Sequence, residues 1–220
     1  MKTIVGIFAH PDDEAFFTGG TIATLSKDYD IYTICVTNGE AGLNSSSKKG
    51  DMATIRREEL LDAGQILGVH ETFFLGYKDG ALSNNFYHEI ADKIKKILEK
   101  LKPEILITFE MRGVSGHLDH IATSLISSYV FIKTPFVKEI WYVCSTEQMR
   151  ESIKGYYIYW PPGYKKSEIT KVVDIEPVWE TKVAAMHKHA SQMHDVETIL
   201  KRFETLPKNE HFIIRNRKNI

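Results

Sequence analysis

Cysteine is scarce in this sequence, with only Cys35 and Cys144 among 220 residues. Each sits inside an apolar run and no CxxC spacing occurs, which argues for buried free thiols and against a disulfide framework or a thiolate metal site. Long apolar runs are missing as well: nothing approaches the roughly 18 residues that a membrane span requires. The opening MKTIVGIFAH is too short in its apolar part for a secretory signal, and PDDE follows where a small-residue cleavage site would stand. A cytoplasmic location is expected. No charge of one sign dominates, since Lys+Arg 28 against Asp+Glu 29 leaves a formal net charge of -1. Pairs such as Lys48-Lys49 and Lys165-Lys166 are too short for a nucleic-acid footprint and read as solvated loop charges. Nucleic acid and membrane are therefore excluded as expected partners, and a homo-oligomer is the expected assembly. Repeats, low-complexity tracts and convincing linkers are lacking too, so residues 1–220 read as one domain, long enough for a filled core.

What is present is an alternation of two periodicities. Thr3–Phe8, Ile31–Val36, Thr72–Leu75 and Ile105–Phe109 are apolar on consecutive positions, as strands buried on both faces should be. Between them run helical patterns at Glu14–Ser26, Met52–Leu67, Tyr87–Leu101 and His117–Tyr129, with Gly68 as a stop after the second. This succession predicts an α/β fold: a doubly wound, mostly parallel, Rossmann-like sheet with right-handed crossovers and helices on both faces. The rest is less regular. Val137–Cys144 and His211–Ile214 read as strands, and Gly155–Trp160 is strand-like before Pro161-Pro162-Gly163 breaks it. Pro177–Met193 and Val196–Phe203 read as helices.

The chemistry concentrates in two segments. Ala9-His10-Pro11-Asp12-Asp13-Glu14 directly follows the first strand, at the sheet edge where ligands of parallel α/β proteins bind. Pro11 can open a helix, and acids in a first turn suit the helix dipole, so capping alone could account for the carboxylates. A histidine three residues from a carboxylate can also share a metal ion with it. Gly116-His117-Leu118-Asp119-His120 follows the fourth strand and opens another helix, with His117 and His120 on one face of its first turn. Asp119 could accept a hydrogen bond from one imidazole and fix its tautomer. Two His-carboxylate clusters beyond two buried strands predict one shared metal site. His187, His189 and His194 do not predict a second one, because the first two are two residues apart and cannot share a helical face; a structural or interface role is expected.

On these segments the chain resembles the PIG-L/LmbE-like N-deacetylases, whose hallmarks are AHPDDE after the first strand and a later H-P-D-H. Lesser likenesses run through Thr37–Gly42, Arg56–Leu60 with Leu67–Val69, Leu75–Gly80, and Lys182 through His189 to Gln192. The resemblance implies a zinc-dependent hydrolase that removes the N-acetyl group from an N-acetylglucosamine-containing small molecule. It implies His10, Asp13 and His120 as zinc ligands, with ferrous iron also compatible, and an open coordination position for water. Asp12 would be the general base, His117 the cationic stabiliser of the oxyanion, and Asp119 the group that holds His117 protonated and oriented. Arg56 and Asp79 would face the sugar hydroxyls, and Glu14 would support the site or cap the helix. Leu118 stands where proline is common, Ser115 where some relatives carry an assisting tyrosine, and Lys78 where arginine is usual. Two rival readings are a zinc amidase acting on another amide, such as a thiol-sugar conjugate, and a non-catalytic sugar- or metal-binding protein on the same scaffold. A phosphate-binding reading of Gly39–Gly42 lacks both GxGxxG and a P-loop lysine.

Overall fold

The computed structural model describes residues 2–47, 49–151 and 160–219. Lys48 and most of the expected strand Gly155–Trp160, including Tyr156, Tyr157 and Tyr159, lie outside the described residues. The first half alternates strand and helix: β1 Lys2–Phe8, α1 Asp13–Leu25, β2 Tyr29–Thr37, α2 Met52–Leu67, β3 Val69–Tyr77, α3 Tyr87–Leu101 and β4 Ile105–Phe109. A short turn, α4 Gly113–Gly116, leads into α5 Leu118–Lys133 and β5 Glu139–Cys144. Then come α6 Glu147–Glu151, β6 Lys171–Asp174, α7 Trp179–Met186, α8 Met193–Phe203 and β7 Asn209–Asn216.

The strands form one sheet of order β3-β2-β1-β4-β5-β7-β6. The first five are parallel, β7 adds antiparallel to β5, and β6 adds antiparallel to β7. This is the expected doubly wound sheet. Side chains alternate across it, as the period of two demands. On β1, Ile4 and Phe8 enter a core layer shared with α1, α2 and α7, while Val5 and Ile7 enter the opposite layer under α3 and α5. The strand order reverses between β1 and β4, so their carboxyl ends flank the crevice where such folds bind ligands.

Helix boundaries follow local chemistry. The Asp51 carboxylate accepts the Thr54 amide at 3.0 Å to open α2, and Gly68, left-handed at φ 82°, closes it. Two segments differ from expectation. The single helix expected over Pro177–Met193 is broken after Met186, because His189 turns inward (φ -78°, ψ 56°) to a buried carboxylate. The four-residue edge strand β6 escapes the apolar-run test, since its side chains alternate between half-buried and exposed. Among the described residues no helix is long and apolar enough to cross a membrane.

Candidate metal and active site

Both signature segments arrive at the β1/β4 crevice. The chain leaves β1 through Ala9–Pro11 and enters α1 with Asp12 at φ 149°, ψ -25°, a conformation that L-residues rarely adopt. Such strain persists only where surroundings over-determine it. Here the Asp12 amide donates to Glu14 Oε2 at 3.1 Å, and its carbonyl accepts the Ala15 and Phe16 amides. Its carboxylate receives Arg56 Nη2 at 2.7 Å. The same guanidinium donates to the carbonyls of Pro11 and Gly39 at 2.9 and 2.7 Å. Arg56 is therefore buried and turned inward onto Asp12, with its Nη groups spent on the protein.

Three donors converge beside Asp12. His10 Nδ1 lies 3.1 Å from His120 Nε2. Asp13 bridges them, with Oδ1 3.2 Å from His120 Nε2 and Oδ2 3.5 Å from His10 Nδ1. The Asp13 carboxylate is oriented by the His10 amide at 2.7 Å. His120 stacks on Phe109 with ring centroids 4.2 Å apart, and its Nδ1 sits 3.0 Å from the Gly113 carbonyl. That carbonyl can only accept, so neutral His120 carries its proton on Nδ1 and presents a bare lone pair at Nε2. On the far side of His10, Nε2 lies 3.1 Å from Asp79 Oδ1 and 3.4 Å from Asp119 Oδ2. These carboxylates favour a proton on Nε2, which leaves Nδ1 bare. Two lone pairs and a carboxylate aimed at one point require a positive charge there, so the residues present fit a divalent cation. The chemistry of two imidazoles and one carboxylate is that of a site with open positions.

Titration tells the same story. Burial works against charge on His10, yet Asp119, Asp13 and Asp79 raise its pKa well above the ordinary value, placing a proton where a cation would be favoured. Burial also acts to raise Asp13, but His120 and His10 hold it far below the carboxylate range. Asp12 behaves oppositely. Burial pushes it up to about 6, with the Asp13 charge adding and Arg56 opposing.

His117 caps α5 and is half-buried, its ring 4.6 Å from that of His10. His10, His117 and His120 can all bring a ring nitrogen within 4.8 Å of one another. The expected side-chain link between His117 and Asp119 is not formed. His117 Nδ1 instead accepts the Asp119 amide at 3.2 Å, and the Asp119 carboxylate accepts the Gly80 and Leu82 amides at 2.8 and 3.1 Å. Burial, then His10 and His120, lower the His117 pKa. Asp119 thus ties α5 to the loop after β3 and faces His10. Asp79 accepts the Ala41 amide at 3.2 Å, and its side chain is nearly buried. Ser115 is buried against His120 and His117. His117, Asp12, Asp13, Asp79, Arg56 and the other two histidines all line one cavity of about 880 Å³.

Sequence reasoning missed two supports. His189 is fully buried and places Nε2 2.9 Å from Glu14 Oε1, whose other oxygen holds the Asp12 amide. The His189-x-Ser191-Gln192 likeness contained this residue but not its partner. Glu110 accepts the Val114 amide at 2.9 Å and Tyr164 Oη at 2.6 Å, pinning the left-handed Gly113-Val114 turn ahead of His117.

A doubly wound sheet with a buried imidazole-carboxylate cluster at its switch point defines an α/β protein with a candidate cation site. Residues 5–130 match the family described as PIG-L: GlcNAc-PI de-N-acetylase, and the chain belongs to this family. It is 30% identical over 207 residues to the probable N-acetyl-alpha-D-glucosaminyl L-malate deacetylase 2 of Bacillus anthracis, covering 91% of this chain and 86% of that protein. It is also 30% identical over 220 residues to the 1D-myo-inositol 2-acetamido-2-deoxy-alpha-D-glucopyranoside deacetylase of Corynebacterium glutamicum, covering 86% and 74%. In fold it is similar to the N,N'-diacetylchitobiose deacetylase of Pyrococcus horikoshii, with TM-score 0.71, 24% identity and coverage of 98% and 84%.

Proposed function

We propose that the chain is a metal-dependent hydrolase that removes the N-acetyl group from an N-acetylglucosamine-containing small molecule. The observation that carries this reading is the convergence of His10 Nδ1, His120 Nε2 and Asp13 on one point, with the Asp12 carboxylate on the same cavity wall. His10, Asp13 and His120 would hold the cation, zinc by default. Such a cation supplies Lewis acidity towards the amide carbonyl and the attacking water. Asp12 takes the proton from water as its oxygen adds to the carbonyl carbon, and later delivers that proton to the nitrogen as the C–N bond breaks. Acetate and the free amine leave. The protein prepares Asp12 for both steps: burial lifts its pKa towards neutrality, while Arg56 keeps a useful fraction ionised.

His117, expected as a cationic stabiliser, acts instead as a neutral donor, because burial and the neighbouring His10 and His120 lower its pKa. With Nδ1 accepting the Asp119 amide, its proton resides on Nε2, available to the developing oxyanion. Asp79 and the Ala41–Leu43 turn form the wall that meets the sugar hydroxyls, and Arg56 positions Asp12 from behind. The relatives named for malate and inositol conjugates support an α-linked glucosaminide as substrate. The test is amine release by zinc-loaded protein from N-acetylglucosamine conjugates of malate and myo-inositol, beside acetyl-lysine. Release from the sugars is the expected result. Release from acetyl-lysine alone would overturn the sugar assignment and favour an amidase of another class.

A further inference from the structure

The wall of the cavity that carries His117 stands on a strained turn. Gly113 has φ 68°, and Val114 follows at φ 62°, ψ -55°, close to the γ-turn region that β-branched residues almost never occupy. Two contacts to the cluster hang from this turn. The Gly113 carbonyl lies 3.0 Å from His120 Nδ1, and Ser115 Oγ accepts the His117 amide at 3.3 Å. Such a turn keeps its shape only while its surroundings hold it. The holding group is Glu110, a buried carboxylate directly after β4. Its Oε1 accepts the Val114 amide at 2.9 Å, and its Oε2 accepts the Arg112 amide at 2.9 Å. Its own backbone is fixed to β5, where its amide donates to the Val143 carbonyl at 3.1 Å.

Glu110 is held in turn by a residue from far along the chain. Tyr164 Oη donates to Glu110 Oε2 at 2.6 Å, and the Arg112 guanidinium lies over the Tyr164 ring, 4.0 Å from its centroid. Burial and the adjoining Glu110 push the Tyr164 pKa well above the ordinary tyrosine value, so its hydroxyl stays a donor at neutral pH. The Tyr164 backbone pairs with the chain after β5: its amide donates to the Ser145 carbonyl at 2.8 Å, and its carbonyl accepts the Glu147 amide at 3.1 Å. Ser145, Met149 and Trp160 line the same cavity as His117. One hydrogen bond therefore joins the rim of the cavity to the turn that precedes His117. On the basis of the hydrolase reading above, we infer that Tyr164 and Glu110 are positioning residues, which hold the turn of residues 113–115 so that His117 meets the developing oxyanion. Neither touches the reacting atoms; both act through the fixed Val114 amide. A displacement of about 1 Å in a reacting constellation can cost about 100-fold in rate.

Tyr164→Phe removes the hydroxyl and keeps the ring. In zinc-loaded protein acting on the malate or myo-inositol conjugate of N-acetylglucosamine, kcat should fall about 10-fold or more while KM stays within about twofold. The acid limb of the pH–rate profile should stay in place, because the Asp12 contacts are untouched. Glu110→Gln should behave in the same way. The double variant should be slower than the slower single variant by no more than about twofold, since both act through one turn. Tyr77→Phe removes a different tyrosine–glutamate hydrogen bond, to Glu89 at 2.6 Å, and should leave kcat within about twofold. Amide hydrogen exchange in metal-free protein reads the turn without turnover. Val114 and His117 should exchange about 10-fold faster or more in Tyr164→Phe, with β1 and α3 unchanged. A kcat kept within about twofold in both single variants, a loss confined to KM, or unchanged exchange at Val114 would overturn the inference. A different pattern separates the two readings: with no amine released from any sugar by wild type, but Val114 exchange accelerated in Tyr164→Phe, the clamp stands and the hydrolase reading falls.

Discussion

Arg56→Met separates two roles that the same arginine could play. In the structure its guanidinium makes three short contacts, to Asp12 Oδ2 at 2.7 Å, to the Gly39 carbonyl at 2.7 Å and to the Pro11 carbonyl at 2.9 Å. Methionine keeps the volume and removes the charge and every donor. Two buried carbonyls then lose a partner, at about 1–3 kcal/mol each, so urea unfolding should show a loss of about 2–6 kcal/mol. The catalytic effect follows from the sign of the charge. A nearby cation favours the carboxylate, so its removal raises the Asp12 pKa and moves the acid limb of the pH–rate profile upward by about 1–3 pH units. At pH 7 kcat should fall about 2- to 90-fold across that range of shifts, and raising the pH towards 9 should restore part of it. The assay is amine release between pH 5 and 9 under saturating substrate. An acid limb that stays in place while KM rises would refute the reasoning and return Arg56 to the sugar hydroxyls.

Three further outcomes follow from buried groups. Lys182 is 0% exposed and pairs with Glu210, so Lys182→Met strands a buried carboxylate and should cost about 3–5 kcal/mol in urea unfolding, with Glu210→Gln in the same chain recovering part of it. In metal-free protein the folded Asp12 pKa of about 6 lies above its ordinary 3.8, so the fold holds the extra proton. That group makes stability fall as pH rises from about 4 to about 6, by about 3 kcal/mol, and Asp12→Asn should remove this contribution from the measured pH slope. His189→Phe keeps the buried ring but releases Glu14, and with it the strained Asp12 backbone; kcat should drop about 10-fold or more while bound metal stays near one per chain by elemental analysis.

Much of this was legible before the fold was known. Consecutive apolar positions in Thr3–Phe8 and Ile105–Phe109 mark strands covered on both faces, and the histidines that follow them had to meet at the sheet edge. Asp51, Thr54 and Gly68 carry the ends of α2 in local chemistry. What escaped reading depends on partners far away in the chain. Glu14 meets His189 across 175 positions, and Lys182 meets Glu210 through a strand that only the finished sheet brings near. Asp119 has local access to His117, but two amides in the loop after β3 compete for its carboxylate and win. Spacing alone would also let Arg56 pair with Glu59 on the surface of α2. In the structure Arg56 faces Asp12, and Glu59 holds Ser191 at 2.7 Å.

On the proposed function, amide hydrolysis depends on a divalent cation held by His10, Asp13 and His120. Chelator-treated protein titrated with zinc tests it most directly, with amine release from an N-acetylglucosamine conjugate followed at each addition. Activity should rise linearly from near zero and break at about one zinc per chain, and Asp13→Ala should neither retain zinc nor gain activity. Full turnover in the chelated protein, or an Asp13→Ala variant that binds zinc with wild-type stoichiometry, would contradict the account.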